Sequence, residues 1–374
     1  MVSVARTVLK NWFGSPPPSV QLRTPSARWG HSPASRKRRT LRVAEVVRET
    51  PTTRTFVLEA LDRETLEYKP GQHLTVLVEV DGVAHRRCYS FSSCPGIGKP
   101  AITVRHIPDG RVSGFLSGNL EAGQTIRVAE PSGVFTVDPD PAACRHHVML
   151  AGGVGITPLI SMTEAILRGE PRSRVTLLYG NRTENEIIFR RRLANLAAEF
   201  PRKLDLRYAL DTPPAGWSGL CGPLTGARAI EALGGADPEA VYNVCGPEPM
   251  MASAVAALEG AGVPAERIRL ERFAYAAPAS AAERPTEAFT VTFARSGARV
   301  RTKPNQPILQ AALEAGIELD YSCQMGGCGA CKVKTSAGSV LRDEPNCLTP
   351  AEAEAGYVLT CCSYASSDLT ILDR

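Results

Sequence analysis

The chain has 374 residues, 43% of them hydrophobic and 22% charged, a composition typical of folded proteins and a length that favours two or three domains. The net charge of +5 is local, because residues 1–40 hold eight Lys or Arg and no acid, so the other 35 of the 43 basic residues face 38 acidic ones. This balance disfavours a nucleic-acid-binding protein, and no apolar run approaches the roughly 18 residues that span a bilayer.

The first 40 residues differ in composition from the rest. They contain PPP at 16–18 and SRKRR at 35–39, so we predict a basic, disordered leader over 1–40. Apolar residues within 1–13 fall on one half of a helical wheel, which fits a helix at a membrane surface, a transit peptide free of acids, or a tail whose periodicity is chance. We expect a cytoplasmic protein, with peripheral membrane contact under the first alternative and an organellar location under the second.

Three units and a linker follow in chain order. Residues 41–140 consist of short strand-like segments separated by Gly, Pro and Asp turns, which predicts an antiparallel β-barrel domain. Residues 141–274 alternate strand-like and helical segments, which predicts an α/β domain with a parallel sheet. Residues 275–287 are rich in Ala and Pro and predict a linker. Residues 288–374 combine strands, one helix and a cysteine-rich segment.

That segment, YSCQMGGCGACKV at 321–333, carries chemistry. Cys323, Cys328 and Cys331 have the spacing C-x4-C-x2-C, and Cys361 is a fourth candidate ligand. Plant-type [2Fe-2S] centres use this spacing, and glycines let the backbone approach the cluster sulfurs. Zinc also takes four cysteines, but the paired C-x2-C knuckles usual for zinc are missing, so a cluster is favoured. The absence of a secretory signal points to a reducing compartment with few or no disulfides.

Two motifs in the predicted barrel fit a flavin nucleotide. RCYSFSS at 87–93 alternates an Arg that can pair with a pyrophosphate, a Tyr that can cover a flat ring, and a Ser that can hydrogen-bond a ring nitrogen. ITVRHIPDGRVS at 102–113 predicts a strand, a glycine turn and the start of a helix, where phosphate oxygens bind.

Two further motifs lie in the predicted α/β domain. GGVGITP at 152–158 follows its first strand and opens a helix, and CGPEPMM at 245–251 places small residues at the carboxyl end of a later strand. Open parallel sheets bind ligands at that edge, and helix N-termini favour negative charge. Structural turns alone could explain either motif. Their combination with RCYS favours a binding site.

Together the motifs resemble the ferredoxin–NADP reductase superfamily, with a C-terminal plant-type [2Fe-2S] ferredoxin domain. The order is that of the phenylacetyl-CoA epoxidase reductase and ketosteroid 9α-hydroxylase reductase type, and the resemblance spans residues 41–374. It implies an antiparallel FAD-binding barrel, an α/β NAD(P)-binding domain and a β-grasp-like ferredoxin domain.

The resemblance also implies a set of site residues. The cluster ligands would be Cys323, Cys328, Cys331 and Cys361, while Cys362 would face the other side of its strand and Cys347 would be a bystander. The residues expected around FAD are Arg87, Tyr89, Ser90, Val104, His106, Gly110, Val112 and Ser113, although many relatives have Arg where this chain has His106. Those expected around the nicotinamide and at the end of its domain are Gly152, Gly153, Gly155, Thr157, Cys245, Gly246, Pro247, Met250 and Phe273. Tyr89, Ser90 and Cys245 would lie beside the reacting rings.

The sequence indicates the choice between NADH and NADPH only weakly. YGNRT at 179–183 lies where relatives recognise the adenine ribose, and Arg182, helped by Arg190 or Arg191, could bind a 2′-phosphate. Surface solvation of these arginines is the alternative, so NADPH is only slightly favoured over NADH.

The resemblance implies an oxidoreductase that passes electrons from NAD(P)H through FAD and a [2Fe-2S] cluster to a separate oxygenase, hydroxylase or desaturase. The sequence contains no diiron or haem ligand set of its own, which places the oxygen chemistry in that acceptor. Two alternatives remain: a membrane-associated electron-transfer partner of a lipid desaturase or hydroxylase, and a redox-sensing module without steady turnover. The sequence does not indicate an oligomeric state.

Overall fold

A computed structural model describes residues 38–61, 64–273, 284–321, 324, 326–327, 329–344 and 346–372. Within these residues, no helix is long and apolar enough to cross a membrane. Two of the four predicted cluster cysteines, Cys323 and Cys328, lie outside the described residues. The predicted linker, 275–287, lies outside them except for its last four residues. The leader does so except for its last three residues, which begin the first strand.

The first unit is an antiparallel sheet of six strands in the order β4-β3-β6-β1-β2-β5. Its strands are β1 Arg38–Thr50, β2 Thr53–Ala60, β3 His73–Val80, β4 Val83–Ser90, β5 Ala101–Arg105 and β6 Thr125–Ser132. A bridge between Phe91 and Ile102 joins the two edges, so the sheet closes into the predicted barrel. Along β3 and β6, alternate residues enter a core that includes Leu74, Val76 and Val128. Helix α1, Arg111–Asn119, adds Val112 and Leu116 to that core.

The second unit is an all-parallel sheet in the order β10-β9-β8-β7-β11-β12. Its elements are β7 His146–Gly152, α2 Ile156–Gly169, β8 Arg174–Asn181, α3 Arg190–Glu199, β9 Leu204–Leu210, β10 Leu220–Cys221, α4 Gly226–Leu233, β11 Val241–Cys245, α5 Glu248–Gly260 and β12 Ile268–Glu271. Successive residues of β7 serve two cores: Met149 packs with α2 and α3, and Leu150 packs with α4 and α5. The sheet is therefore covered on both faces, as its nearly continuous apolar strands predict.

The third unit has a five-stranded mixed sheet in the order β14-β13-β19-β15-β17 and a two-stranded pair, β16 with β18. Its elements are β13 Thr290–Phe293, β14 Arg299–Arg301, α6 Ile308–Glu314, β15 Lys332–Ala337, β16 Val340–Arg342, α7 Pro350–Glu354, β17 Tyr357–Leu359, β18 Ser363–Ala365 and β19 Leu369–Leu372. Helix α6 packs Ile308 and Ala312 against Phe293 and Ile371. The predicted fold class, a barrel, a parallel α/β sheet and a ferredoxin-like domain, is confirmed.

The domain limits remain predictions, with one finding at the amino end. Strand β1 begins at Arg38, and Arg38 to Thr40 pair with β6. Arg39 is buried and donates hydrogen bonds to the carbonyl oxygens of Glu64 and Thr65. These three residues, which the basic composition assigned to the leader, are thus part of the barrel.

Candidate functional site

The end of strand β4 contains a buried hydroxyl that has no hydrogen-bond partner among the described residues. The Ser90 side chain is only 3% exposed, and its Oγ has no hydrogen-bond partner in the part of the chain that the structure describes. Leaving such a hydroxyl unpaired costs roughly 1–3 kcal/mol, so a ligand is the expected partner. Tyr89 packs its ring against the barrel core, and burial raises its pKa, which keeps the phenol neutral. Arg87 shares the face of Tyr89, two residues away along the strand. These features fit the predicted flavin contact.

The start of helix α1 differs in detail from the prediction. Gly110 occupies the N-cap position, and because glycine has no side chain it cannot itself cap the first-turn N–H groups. The Ser113 hydroxyl, expected at phosphate oxygens, instead accepts the Ile107 N–H at 3.2 Å and donates to the Gly110 carbonyl oxygen at 3.2 Å. A Cβ at Gly110 would overlap that hydroxyl, which explains the glycine. The backbone of this turn remains suited to phosphate.

The other two residues predicted along the flavin phosphates contribute in different ways. Val104 is fully buried in the barrel core, so only its backbone can line a ligand. The His106 side chain is exposed, and its imidazole lies over Gly114 of α1. Its neighbour Arg105, which the motifs did not single out, lies 3.8 Å from Glu186 of the α/β domain and beside Gly153. The strand that carries the flavin motif therefore also contacts the nicotinamide motif.

The two predicted nicotinamide motifs meet at the carboxyl ends of neighbouring strands β7 and β11. A Cβ at Gly152 would lie 2.6 Å from Pro247 Cδ, and one at Gly246 would lie 3.0 Å from Gly152 Cα. A Cβ at Gly155 would overlap the Cys245 carbonyl oxygen. A side chain at any of these three glycines would meet atoms of the other loop or of Met250, so the two motifs form one glycine junction, defined as residues 152–155 with 245–247. This junction occupies the edge where open parallel sheets bind ligands.

Buried side chains fix the glycine junction from below. The Tyr179 hydroxyl donates to the Gly153 carbonyl oxygen at 2.9 Å and accepts the Ile188 N–H at 3.3 Å. Thr157 Oγ1 donates to the Val154 carbonyl oxygen at 3.0 Å. Met250 is buried on α5, facing the glycines. The two hydroxyls thus hold the carbonyl groups of Gly153 and Val154 and fix this part of the loop.

Cys245 is completely buried at the junction. Burial, reinforced by the nearby Glu271 carboxylate, raises the pKa of its thiol. A neutral, compact thiol beside the sheet edge suits contact with a flat apolar ring better than nucleophilic attack. Phe273, the last described residue before the linker, is 36% exposed and thus available to a ligand or a neighbouring domain.

Two of the three arginines predicted at a 2′-phosphate already have carboxylate partners. Arg182 forms an ion pair with Glu186, and Arg190 forms one with Glu184, while Arg191 is exposed. Asp211 lies at the end of the neighbouring strand, where burial, with help from Glu186, raises its pKa to about 6. The sequence could have indicated the first pair, because Glu186 follows Arg182 by four residues. At this end of the sheet, the carboxylates of Glu184 and Glu186 thus neutralise two of the arginines that were predicted to bind a 2′-phosphate.

The described cysteines of the cluster segment lie in the ferredoxin-like core. Cys331 and Cys361 are buried, and Cys361 Sγ accepts the Gly326 N–H at 3.2 Å. An N–H bond to sulfur is what a thiolate ligand of a cluster needs. The adjacent Cys362, expected on the other side of a strand, lies with Cys361 in the turn between β17 and β18 and is buried in the same core, and its thiol donates to the Leu359 carbonyl oxygen at 3.8 Å. Cys347 N–H donates to the Gly326 carbonyl oxygen, so Cys347 adjoins the segment rather than lying apart from it. The donor set that can be described fits a cluster.

Comparison with known proteins agrees with this architecture. Family models match an oxidoreductase FAD-binding domain over residues 40–137, an oxidoreductase NAD-binding domain over 149–256, and a 2Fe-2S iron-sulfur cluster binding domain over 291–366. The chain is 34% identical over 334 residues to one of the subunits of 1,2-phenylacetyl-CoA epoxidase from Escherichia coli, covering 86% of this chain and 93% of that protein. It is 33% identical to the glycine betaine monooxygenase reductase subunit of Chromohalobacter salexigens, covering 89% and 95%.

Solved structures show the same arrangement. An intact type IV self-sufficient cytochrome P450 monooxygenase matches with a TM-score of 0.71 and 26% identity, over 89% of this chain and 41% of that one. Phthalate dioxygenase reductase matches with a TM-score of 0.57 and 23% identity, over 89% of this chain and 97% of that one, which shows the fold. The chain therefore belongs to the family of NAD(P)H oxidoreductases with FAD-binding, NAD-binding and 2Fe-2S domains, the ferredoxin reductase-type components of oxygenase systems.

Proposed function

We propose that this reductase delivers electrons from NAD(P)H, one at a time, to a separate oxygenase, hydroxylase or desaturase. The relatives support the acceptor class, since their names identify them as parts of an epoxidase and of a monooxygenase. Bound FAD supplies the exchange between a two-electron donor and a one-electron acceptor, which amino-acid side chains do not supply. The chain's residues bind and orient the cofactors and exclude water.

One observation carries the proposal: two hydrogen bonds join the nucleotide domain to the barrel at the residues that follow β4. Ser161 on α2 donates to the Ser93 carbonyl oxygen at 2.6 Å, and Arg192 on α3 donates to the Ser92 carbonyl oxygen at 2.6 Å. Arg192 is held in turn by an ion pair with Glu164. Because α2 begins at the glycine junction, these bonds support a position of the predicted nicotinamide-binding edge near the end of β4, where Ser90 lies.

The residue roles follow from this arrangement. Arg87 would pair with the flavin pyrophosphate, Tyr89 would cover the flavin ring, and the buried Ser90 hydroxyl would donate to a ring nitrogen. Cys245 would lie against the nicotinamide, where its neutral thiol fills space without reacting. The iron ligands would be Cys323, Cys328, Cys331 and Cys361.

A visible spectrum during anaerobic titration of the purified protein with NADH and with NADPH tests the proposal. We expect flavin and cluster bands in the resting protein, bleaching of both by the nucleotide, and steady reduction of cytochrome c. A protein that holds FAD and iron but does not turn over with either nucleotide would favour the redox-sensing alternative. A colourless protein after anaerobic reconstitution would overturn the proposal.

Membrane contact through residues 1–13 is a separate proposal, because these residues lie outside the described part of the chain. A deletion that tests it should end before Arg38, since β1 begins there. Vesicle binding and coupling to the acceptor that are unchanged after removal of residues 1–35 would exclude the membrane alternative.

A further inference from the structure

The cluster segment contacts the barrel at two places that the flavin motifs do not include. At the first, the guanidinium of Arg86 lies over the ring of Tyr321, with Cζ 4.7 Å from the ring centroid. Arg86 is half-buried on β4, and burial lowers its pKa. Because strand side chains alternate, Arg86 faces away from Arg87. Strand β4 thus presents Arg87 and Tyr89 on one face, while Arg86, which contacts the ferredoxin-like domain, shares the other face with Ser90 at the end of the strand.

The second contact lies at the flavin end of the barrel. The methyl carbons of Val134, just beyond β6, stand 3.6 and 3.9 Å from where a Cβ would lie at Gly329, within the cluster segment. Gly329 has φ +68°, so a side chain there would be strained, although its Cβ would meet Val134 only at ordinary van der Waals distance. His73 on β3 pairs with both Ser90 and Ser132. Two strand spacings, about 10 Å, therefore separate the ends of β4 and β6.

We propose that the Arg86–Tyr321 stack is a positioning contact that holds the cluster segment beside the flavin end of the barrel and so sets the rate of flavin-to-cluster electron transfer. The inference rests on the proposed function, because it assumes that FAD binds at Ser90 and a cluster binds at Cys331 and Cys361. Electron transfer slows steeply with distance, so a contact that fixes the separation of two cofactors controls the rate without touching either. Val134 beside Gly329 is a second point at which the segment approaches the barrel.

The test uses the full chain loaded with FAD and iron. Arg86→Leu and Tyr321→Leu each remove the stack from one side, whereas Arg86→Lys keeps the cation and Tyr321→Phe keeps the ring. Arg48→Leu, at an exposed arginine on β1, is the control that loses the same charge. Anaerobic stopped-flow with NADH separates flavin bleaching from cluster bleaching. Steady-state ferricyanide reduction reports the flavin, and cytochrome c reduction reports the cluster.

Both leucine variants should reduce their flavin at the wild-type rate but their cluster about fivefold more slowly, the factor expected for one partly desolvated cation–π contact. Lysine, phenylalanine and the Arg48 control should retain most of the rate, and the double leucine variant should be no slower than the slower single. Iron, sulfide and the cluster potential should not change.

Cluster reduction at the wild-type rate or faster in both leucine variants would overturn the inference. If Arg86→Leu alone loses FAD, Tyr321→Leu decides, because it leaves β4 intact. Wild-type protein whose flavin is not reduced by either nucleotide would instead refute the proposed function, so the two failures can be told apart.

Discussion

Replacing Ser90 by alanine should change the apoprotein and the FAD complex in opposite directions. The buried Ser90 hydroxyl has no partner among the described residues, so its removal from FAD-free protein abolishes a cost instead of breaking a bond. We expect the free energy of unfolding of the apoprotein to stay level or rise by about 1 kcal/mol. In the complex the same change deletes a hydrogen bond to the flavin, and FAD should bind roughly five- to tenfold more weakly.

A second buried serine provides the matched control. Ser92, two residues further on, shares hydrogen bonds with Thr103 Oγ1 at 2.8 Å and with the Ala101 carbonyl oxygen at 3.3 Å. Ser92→Ala therefore breaks bonds that the apoprotein makes. It should destabilise the apoprotein by about 1 kcal/mol or more while changing FAD affinity little.

Denaturant unfolding of FAD-depleted protein and quenching of FAD fluorescence on rebinding measure the two effects. We expect a crossed pattern, in which Ser90→Ala weakens binding without loss of stability and Ser92→Ala does the reverse. An apoprotein carrying Ser90→Ala that is as unstable as one carrying Ser92→Ala would refute the idea that this hydroxyl is reserved for a ligand.

Three further predictions concern the nucleotide domain. Gly155→Ala forces a Cβ into the Cys245 carbonyl oxygen of β11, so it should lower the free energy of unfolding by about 1–3 kcal/mol and raise KM for the nucleotide. Gly260→Ala, where the added Cβ on α5 would lie in open space, should neither destabilise the protein nor raise KM. Glu186→Gln removes the carboxylate paired with Arg182 and so frees this arginine for a 2′-phosphate. Because an exposed ion pair is worth about 1 kcal/mol or less, KM for NADPH should fall roughly two- to fivefold relative to KM for NADH. An unchanged ratio of the two KM values would place the 2′-phosphate elsewhere. Burial lowers the pKa of His147, so below about pH 6.5 the unfolded chain binds more protons than the folded protein and the free energy of unfolding should decrease as the pH falls. The denaturant midpoints at pH 7.5 and 5.5 should therefore differ less in His147→Gln than in the wild type. An equal difference in the two proteins would contradict this.

The local part of this site could be predicted from the sequence. Strand β4 ends at the serine of its motif, and each glycine loop follows a strand, because spacing and glycine placement are properties of short segments. The hydrogen-bond partners of the Ser113 hydroxyl could not be predicted from the sequence, because a serine can bond its own turn as readily as a ligand. Here the hydroxyl bonds the backbone of Ile107 and Gly110. The start of β1 at Arg38 was missed because basic composition resembles that of a disordered tail.

Contacts between distant segments could not be predicted in this way. Arg105 near Glu186 and Ser161 bonded to Ser93 join residues that are 81 and 68 positions apart, and no periodicity in either segment encodes the pairing. These contacts matter here more than in many enzymes, because the cofactors carry the chemistry and the protein contributes separation and orientation.

The chain order and the electron order differ, and only the tertiary structure reconciles them. Along the sequence, the nucleotide domain lies between the barrel and the ferredoxin-like domain, an order that by itself would place FAD at one end. In the structure, the residues just after β4 bind helices of the nucleotide domain through Ser92 and Ser93. The same strand meets the cluster segment through Arg86. The barrel is therefore the middle member, in contact with the donor's domain on one side and the cluster's on the other, which is the order that electrons from a nicotinamide require.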